Sequence, residues 1–226
     1  METVLVRLWL PDRPGALGQV ASRIGAVRGE IVGIEILERG AGRAIDELVV
    51  DLPDATLTRL LVDEVQQVDG VDVEEVRPLA SRLHDPRLDA LETAALLVGA
   101  TDRDELVAAV VQHARRAVGA EWSAVVHLDG GEVLAQEGDA PPAAWLAAFV
   151  EGSRASARVA SGATGPDDVV WSPLPSAELA LVIGRTGTAY RARERRQVAA
   201  LARIVDTRLR EILRYQALTR HPSVAR

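Results

Sequence analysis

The sequence contains no cysteine, no lysine and no asparagine, and each absence removes a class of function. Without cysteine there is no disulfide, thiolate metal site, cysteine nucleophile or thioether-linked chromophore. Without lysine and asparagine there is no Schiff-base or phosphate-loop lysine and no asparagine amide to hold a ligand. What remains is a chain of 226 residues, 48% hydrophobic and 26% charged. That balance is ordinary for a globular protein with one large domain or two small ones.

Long apolar runs are also missing, so the sequence predicts no membrane-spanning segment. The first residues, Met1 to Thr3, carry an acidic group and no positive charge ahead of a short apolar run. This start is unlike that of a signal peptide. The lack of cysteine fits a reducing compartment, and we expect a cytoplasmic location.

The net charge of −7 is unevenly distributed. Residues 185–226 contain 11 arginines and 3 acidic residues, a balance of +8, which leaves −15 for the preceding segment. One interpretation is a solvated arginine-rich helix face that docks against acidic surface of this chain or of a protein partner. The other is a nucleic-acid-binding helix. Aromatic residues are sparse there and most of the protein would repel phosphate, so we favour the first.

No catalytic, metal or cofactor constellation is present in the sequence. It has neither a Gly-x-Ser-x-Gly elbow nor a His-Glu-x-x-His helix motif. Gly40-Ala41-Gly42 lacks the third glycine of a dinucleotide fingerprint, and Gly184-Arg185-Thr186-Gly187-Thr188 lacks a phosphate-loop lysine. The four histidines have no spacing typical of metal ligands: His84, His113, His127 and His221. We therefore expect a protein that is not an enzyme and has neither metal nor cofactor.

A first unit, residues 1–78, alternates strand and helix patterns in the order βαββαβ, which is the ferredoxin-like arrangement. Strands are predicted over residues 3–10, 31–38, 44–52 and 71–76. Gly40-Ala41-Gly42 predicts a tight reversal between two of them. Helices are predicted to begin near Asp12 and Asp54, with inward stripes of Leu17, Val20, Ala21 and Ile24, and of Leu57, Leu60, Leu61 and Val65.

The segment Asp12–Leu17 joins the first strand to the first helix. A helix N-terminus offers backbone N–H groups and a partial positive charge to a carboxylate. Gly15 lacks the Cβ that would hold a ligand away, and Pro14 stiffens the approach. Asp12 can accept hydrogen bonds from an ammonium group. On these residues alone, a simple helix cap by Asp12 remains an open alternative.

With this strand order and Asp12-Arg13-Pro14-Gly15-Ala16-Leu17 at its first turn, residues 1–78 resemble an ACT domain. The resemblance implies that the turn meets the second strand of a neighbouring domain in a homodimer, and that an amino acid or similar small effector binds between them. Many amino-acid-binding members have asparagine where this chain has Ile31. An apolar residue there favours a hydrophobic effector or a purely dimerising role. The implied ligand-binding residues are Asp12, Arg13, Pro14, Gly15, Ala16, Leu17, Ile31 and Val32.

A second unit is predicted over residues 85–218, between a linker at 79–84 and a tail at 219–226. Its first helix, 85–98, has an apolar stripe of Leu88, Leu91, Ala95 and Leu96. A capping box at Thr101-Asp102-Arg103-Asp104 opens a second helix that ends at Gly119. A hairpin over 122–128 and 132–137, a short helix over 142–153, strands over 169–171 and 178–183 and a long helix over 191–218 follow. This is an α+β unit with an antiparallel sheet flanked by helices.

The segments Val170-Trp171-Ser172-Pro173-Leu174 and Leu179-Ala180-Leu181-Val182-Ile183, followed by a long helix, resemble the end of a GAF-type sensory domain. The resemblance implies a sensory role. Cyclic-nucleotide-binding members use an Asn-Lys-Phe-Asp-Glu set that this chain cannot supply, and chromophore-binding members usually need cysteine. Trp145, Trp171 and His127 either line a pocket for an unidentified small ligand or pack a core, and we favour packing.

Together these observations predict an α+β protein: a ferredoxin-like ACT domain followed by a GAF-like domain. The function that they indicate is non-catalytic regulation. A small effector binds at the dimer interface of the first domain, and the second relays the signal. Two alternatives remain, a dimerisation scaffold without ligand and a nucleic-acid-binding regulator that uses the arginine-rich helix.

Overall fold

The computed structural model describes residues 1–79, 86–129, 131–156 and 166–220. The chain divides into two compact units, residues 1–84 with 191–193, and residues 85–190 with 194–226. Most of the predicted linker and tail, residues 80–84 and 221–226, lies outside the described residues. Within the described residues, every helix is too short or too polar to cross a bilayer.

The first unit is one antiparallel sheet in the strand order β2-β3-β1-β4. The order of elements along the chain is βαββαβ, which confirms the ferredoxin-like prediction. The second helix is preceded by a turn of 3-10 helix at Ala55–Leu57. The elements are β1 (Glu2–Pro11), α1 (Ala16–Ala26), β2 (Glu30–Gly40), β3 (Arg43–Leu52), α2 (Thr58–Val65) and β4 (Asp72–Pro78).

The core of the first unit lies on the face of the sheet that α1 and α2 cover. Because alternate residues of a strand point to opposite faces, the register of β1 against β3 fixes which side chains reach this core. The buried apolar side chains of the two strands and two helices form one cluster, which includes Val4, Val6, Leu8, Leu10, Ala16, Val20, Ile24, Ala44, Leu48, Val50, Leu52, Leu61 and Val65.

The prediction that Leu60 faces inward was wrong, since its side chain is 46% exposed. In α2 the buried residues are Leu61 and Val65, which stand one turn apart. Leu60 precedes Leu61 by one residue, about 100° around the helix axis. A helix of eight residues buries only one narrow stripe, so Leu60 points away from it.

The predicted reversal between β2 and β3 is confirmed. Its two loop residues, Ala41 and Gly42, have φ of 51° and 77°. Two-residue hairpin loops of the most frequent kind need positive φ at both positions, because that twist matches the twist of the paired strands.

The second unit is a four-stranded antiparallel sheet in the order β6-β5-β8-β7. Side chains of α3, α4 and α6 form a core on one face of this sheet. Side chains of α5 form a smaller core on the other face. The elements are α3 (Pro86–Gly99), α4 (Arg103–Ala117), β5 (Trp122–His127), β6 (Val133–Glu137), α5 (Ala143–Ala155), β7 (Val169–Leu174), β8 (Leu179–Gly184) and α6 (Ala192–Arg220). The predicted α+β arrangement is confirmed.

The capping box of α4 lies one residue later than predicted. Asp102 is the N-cap and accepts a hydrogen bond from the Glu105 N–H at 2.9 Å. The Glu105 carboxylate accepts from the Thr101 N–H at 2.7 Å and from its hydroxyl at 2.9 Å. These bonds lower the pKa of Glu105 below its usual value. Asp104 takes no part in this box, and its side chain is 92% exposed.

The predicted inward stripe of α3 was also wrong. Leu88, Leu91 and Leu96 are exposed, and the buried side chains are Thr93 and Leu97. The helix carries apolar residues on all sides, so its periodicity does not select a face.

Arg185 holds the segment that leads into α6. Its side chain is 7% exposed and pairs with the buried carboxylate of Glu194 at 2.7 Å. It also donates to the carbonyls of Val118, Thr188 and Ala189. The guanidinium lies 4.0 Å from the centre of the Tyr190 ring. Burial raises the pKa of the Tyr190 hydroxyl.

Replacing Arg185 by methionine is expected to lower the free energy of unfolding by about 3–5 kcal/mol, since Glu194 stays buried after losing the guanidinium that offsets its charge. Urea denaturation measures the change. Arg154→Met is the control, because Arg154 is 48% exposed and stands 3.8 Å from Glu151. Removing such a surface pair costs about 0–1 kcal/mol. Equal effects of the two substitutions would contradict the importance of the buried pair.

Candidate functional site

The turn between β1 and α1 is exposed to solvent, and backbone hydrogen bonds hold it in place. Asp12, Arg13, Pro14 and Gly15 are all exposed. The backbone N–H of Asp12 donates to the Gly42 carbonyl at 2.9 Å, which ties the turn to the β2–β3 hairpin. The N–H of Arg13 donates to the Pro11 carbonyl at 2.8 Å. The turn is therefore held in place by backbone bonds and leaves its side chains open to solvent.

Asp12 does not cap α1, so that alternative was wrong. The N-cap residue of α1 is Gly15, with φ 86° and ψ −12°. Because glycine has no side chain, the N-cap makes no side-chain hydrogen bond to the start of the helix. The Asp12 carboxylate instead stands 4.0 Å from the Arg39 guanidinium. Both side chains are about half exposed, and pairs of this kind contribute little to stability. The Asp12 carboxylate and the start of α1 are thus separate features of one surface.

The backbone conformation at position 15 requires a glycine. Its φ of 86° lies in the left-handed region, which residues with a Cβ adopt only at a cost. A Cβ added there would meet nothing within 4 Å, so the space in front of the turn is open. The prediction that a ligand can approach this backbone closely is consistent with that open space.

The structure brings six of the eight predicted site residues together in the turn. Ala16 is buried in the core and Leu17 is partly buried beside it, while the first four face solvent. Ile31 and Val32 are at the other end of the sheet. Ile31 pairs with Val50, which pairs with Val4, six residues before Leu10 in β1. Within one chain these two residues are therefore separated from the turn by most of the length of a strand.

The edge strand β2 carries three exposed apolar side chains. Val32, Ile34 and Ile36 are 47%, 49% and 38% exposed. Because β2 is the outermost strand on its side of the sheet, its free edge and these side chains together form an apolar border.

One buried acidic residue near the turn was missed by the sequence reasoning. Asp46 is 3% exposed and pairs in register with Leu8 on β1 and Ile36 on β2. Burial raises the pKa of its carboxyl, the Arg39 charge lowers it, and the Asp12 charge raises it again. The sequence does contain a signal, because Asp46 interrupts an alternating row of Ala44, Leu48, Val50 and Leu52.

Three aromatic residues of the second unit contact one another: Trp122, Trp145 and Phe149. Trp145 lies parallel to Phe149 at 5.3 Å and edge-on to Trp122 at 6.4 Å. Trp171 packs against the same cluster on the face of the sheet that α5 covers. The His127 ring nitrogen accepts from the Asp129 N–H at 3.1 Å. Core packing, which we favoured, fits Trp171, whereas Trp145 is 41% exposed.

Several arginines of the final segment are engaged within the second unit. Arg208 donates to the Ala100 carbonyl at 2.8 Å, and Arg210 pairs with Asp206 at 2.8 Å. Arg195 donates to the Tyr190 carbonyl at 3.2 Å.

The described part of the chain holds no cluster of three or more acidic or histidine residues that could bind a metal ion.

No protein-family model matches the chain, and no curated protein matches it. Among solved structures, it is similar to the ACT domain from GTP pyrophosphokinase of Chlorobium tepidum, with 20% identity over 34% of this chain and 97% of that chain, at a TM-score of 0.29. It is also similar to the GAF domain of a Pseudomonas syringae pv. tomato protein assigned as a sensor histidine kinase. That match has 12% identity over 60% of this chain and 92% of the other, at a TM-score of 0.39.

A third similar structure is the phytochrome photosensory core module of Stigmatella aurantiaca, with 14% identity over 98% of this chain and a TM-score of 0.45. The chain spans 60% of the length of that module. ACT and GAF domains are thus among the solved folds that the chain resembles. The fold of the first unit is ACT-like, and that of the second is GAF-like.

Gly15→Ala is expected to lower the free energy of unfolding by about 1–2 kcal/mol, since alanine is strained at this φ. Gly18→Ala is the matched control, because Gly18 lies inside α1 with nothing within 4 Å of an added Cβ. Alanine there is expected to raise stability by about 0.5–1 kcal/mol. Chemical denaturation measures both variants. A Gly15→Ala protein as stable as the parent would show that the left-handed turn is not required.

Proposed function

We propose that this protein is a non-catalytic regulator that binds an amino acid or similar small effector at the β1–α1 turn of paired first units. The observation that carries the proposal is the exposed start of α1 at Gly15, with the Asp12 carboxylate beside it. A helix start suits a carboxylate, and Asp12 suits an ammonium group. An amino acid carries both groups on one carbon atom.

The pairing of first units is supported by the apolar border of β2. An exposed strand edge with apolar side chains is a surface on which a second strand can add. A partner strand that pairs with this edge adds the Ile31 and Val32 of a second copy to the proposed site. In this proposal the site is complete only in the homodimer, since one chain keeps Ile31 and Val32 away from its own turn.

The second unit relays or integrates the signal in this proposal. Its GAF-like sheet and its long helix α6, 29 residues over Ala192–Arg220, are the elements available for this role. The similarity to domains of sensory proteins supports a regulatory assignment only in general terms. A scaffold that dimerises without ligand is the alternative, and the apolar Ile31 is the observation that favours it.

A thermal-shift screen with the twenty amino acids tests effector binding. A ligand at one hundred times its Kd stabilises its domain by about 2.7 kcal/mol, which shifts Tm by several degrees. We expect such a shift with one amino acid or a small chemically related group, apolar side chains being favoured by Ile31. A properly dimeric protein that responds to none of them would support the scaffold instead.

Ile34→Glu tests the pairing surface. Ile34 is 49% exposed on the edge strand, so a carboxylate there is expected to leave the monomer folded and to dissociate the dimer by charge repulsion. Light scattering coupled to size-exclusion chromatography measures the mass. Leu60→Glu is the control, since Leu60 is 46% exposed on α2 and outside the β2 border. A dimer that survives Ile34→Glu would contradict pairing through β2.

A further inference from the structure

Asp46 is a buried carboxylate whose Oδ1 has no hydrogen-bond partner among the residues that the structure describes. Its side chain is 3% exposed and stands in the apolar row of β3, between Ala44 and Leu48. A buried polar group without a partner costs free energy, and a buried carboxylate costs more. Such a residue therefore needs an explanation other than stability.

Asp46 lies at about the same position along the sheet as the start of α1. At the far end of the helix, Ile24 lies over Val50, since a Cβ built on Gly29 would touch both side chains. From Ile24 back to Ala16 is eight residues of helix, about 12 Å. From Val50 back to Asp46 is four residues of strand, about 13 Å. Asp46 is thus level with the first residue of α1, at the turn that carries the proposed effector site.

Asp46 lies one strand away from the edge of the sheet. Its register partner on the outer side is Ile36 of the edge strand β2, which is 38% exposed. Among the described residues, no strand lies beyond β2 on that side. The register of β2 also shifts between Ile36 and Glu38, and such bulges redirect side chains next to binding sites. One apolar side chain therefore separates Asp46 from the border where the partner unit is proposed to pair.

Two charged groups act on Asp46, Arg39 of β2 and Asp12 of the turn. Arg39 is 58% exposed, and its guanidinium stands 4.0 Å from the Asp12 carboxylate. The cation nearest to Asp46 is thus an exposed side chain that also pairs with Asp12.

From these observations we infer that Asp46 is a ligand-binding residue, a buried carboxyl that receives the ammonium group of the effector together with the exposed Asp12 of the turn. This inference rests on the proposed function and narrows it to effectors with a protonated nitrogen. The start of α1 then faces the carboxylate of the same molecule. The ammonium group then supplies the hydrogen-bond partner that the Asp46 Oδ1 lacks among the described residues.

Calorimetric titration of the full-length protein tests the inference with two sets of probes. The first set is L-valine, L-leucine, L-isoleucine and L-phenylalanine. The second is their 2-hydroxy acids, which keep the side chain and carboxylate but lack the ammonium group. Asp46→Asn is expected to weaken amino-acid binding at least tenfold and to leave hydroxy-acid binding unchanged. In the absence of ligand, the Asp46→Asn substitution is expected to raise Tm by roughly 2–4 °C, because a buried charge is removed.

The control is Asp51→Asn in the same strand. Asp51 is buried on the opposite face and accepts from the Thr3 hydroxyl at 2.5 Å. We expect this change to lower Tm and to leave amino-acid binding intact. Asp46→Leu serves as a second variant, since it continues the apolar row and removes the carboxylate altogether. It is expected to fold and to lose amino-acid binding as Asp46→Asn does.

The outcomes separate this inference from the proposed function. Amino-acid binding that is equal in the parent, Asp46→Asn and Asp46→Leu proteins would overturn the role of Asp46 and leave the effector site standing. A loss of Tm in Asp46→Asn would make Asp46 a structural residue and would also overturn it. A parent protein that binds none of the eight probes at millimolar concentration, and whose Tm shifts with none of the twenty amino acids, would overturn both proposals.

Discussion

The register of β1 against β3 is the constraint on which the first unit and its candidate site depend. All ten residues of β1 pair with β3, and β1 also pairs with β4 on its other side. A slip of one residue would turn the apolar row of β1 to the opposite face, so burial holds the register strongly. The same pairing ends β1 at Pro11 in front of the turn and places Asp46 opposite Leu8. Core and candidate site are thus products of one set of strand contacts.

Buried polar groups on the two faces of this sheet differ in whether a partner lies opposite them on the neighbouring strand. On the face that α1 and α2 do not cover, Thr3 bonds to Asp51, and the guanidinium of Arg7 contacts Glu47 at 2.5 Å. Both pairs join residues directly opposite each other on β1 and β3, so each buried polar group meets its partner across the strands. Asp46 stands on the other face, opposite a leucine and an isoleucine. The strand pairing that satisfies the other polar groups cannot satisfy this one.

Local patterns predicted most of the fold, and they failed where the decisive contact was not local. The hairpin at Gly40–Gly42 and the turn at Asp12–Leu17 follow from turn chemistry within a few residues. The capping box lies one residue later than predicted. Thr101 and Asp102 are both good N-cap residues, and only the position of Glu105 decides between them. The interruption at Asp46 is visible in the sequence, yet its missing partner depends on three strands and a turn brought together by the fold.

The polarity of the candidate site bears on which ligands it can hold. The start of α1 contributes a partial positive charge, and Asp46, level with it, contributes a carboxyl group. If Asp46 bonded to the helix start, the two would neutralise each other and leave little for a ligand. The N-cap is a glycine without a side chain, and the Asp46 Oδ1 makes no hydrogen bond to the described residues. Neither group is therefore seen to satisfy the other. Under the proposed function, a simple anion would meet only the helix start, whereas an amino acid would also give the Asp46 Oδ1 a hydrogen-bond partner.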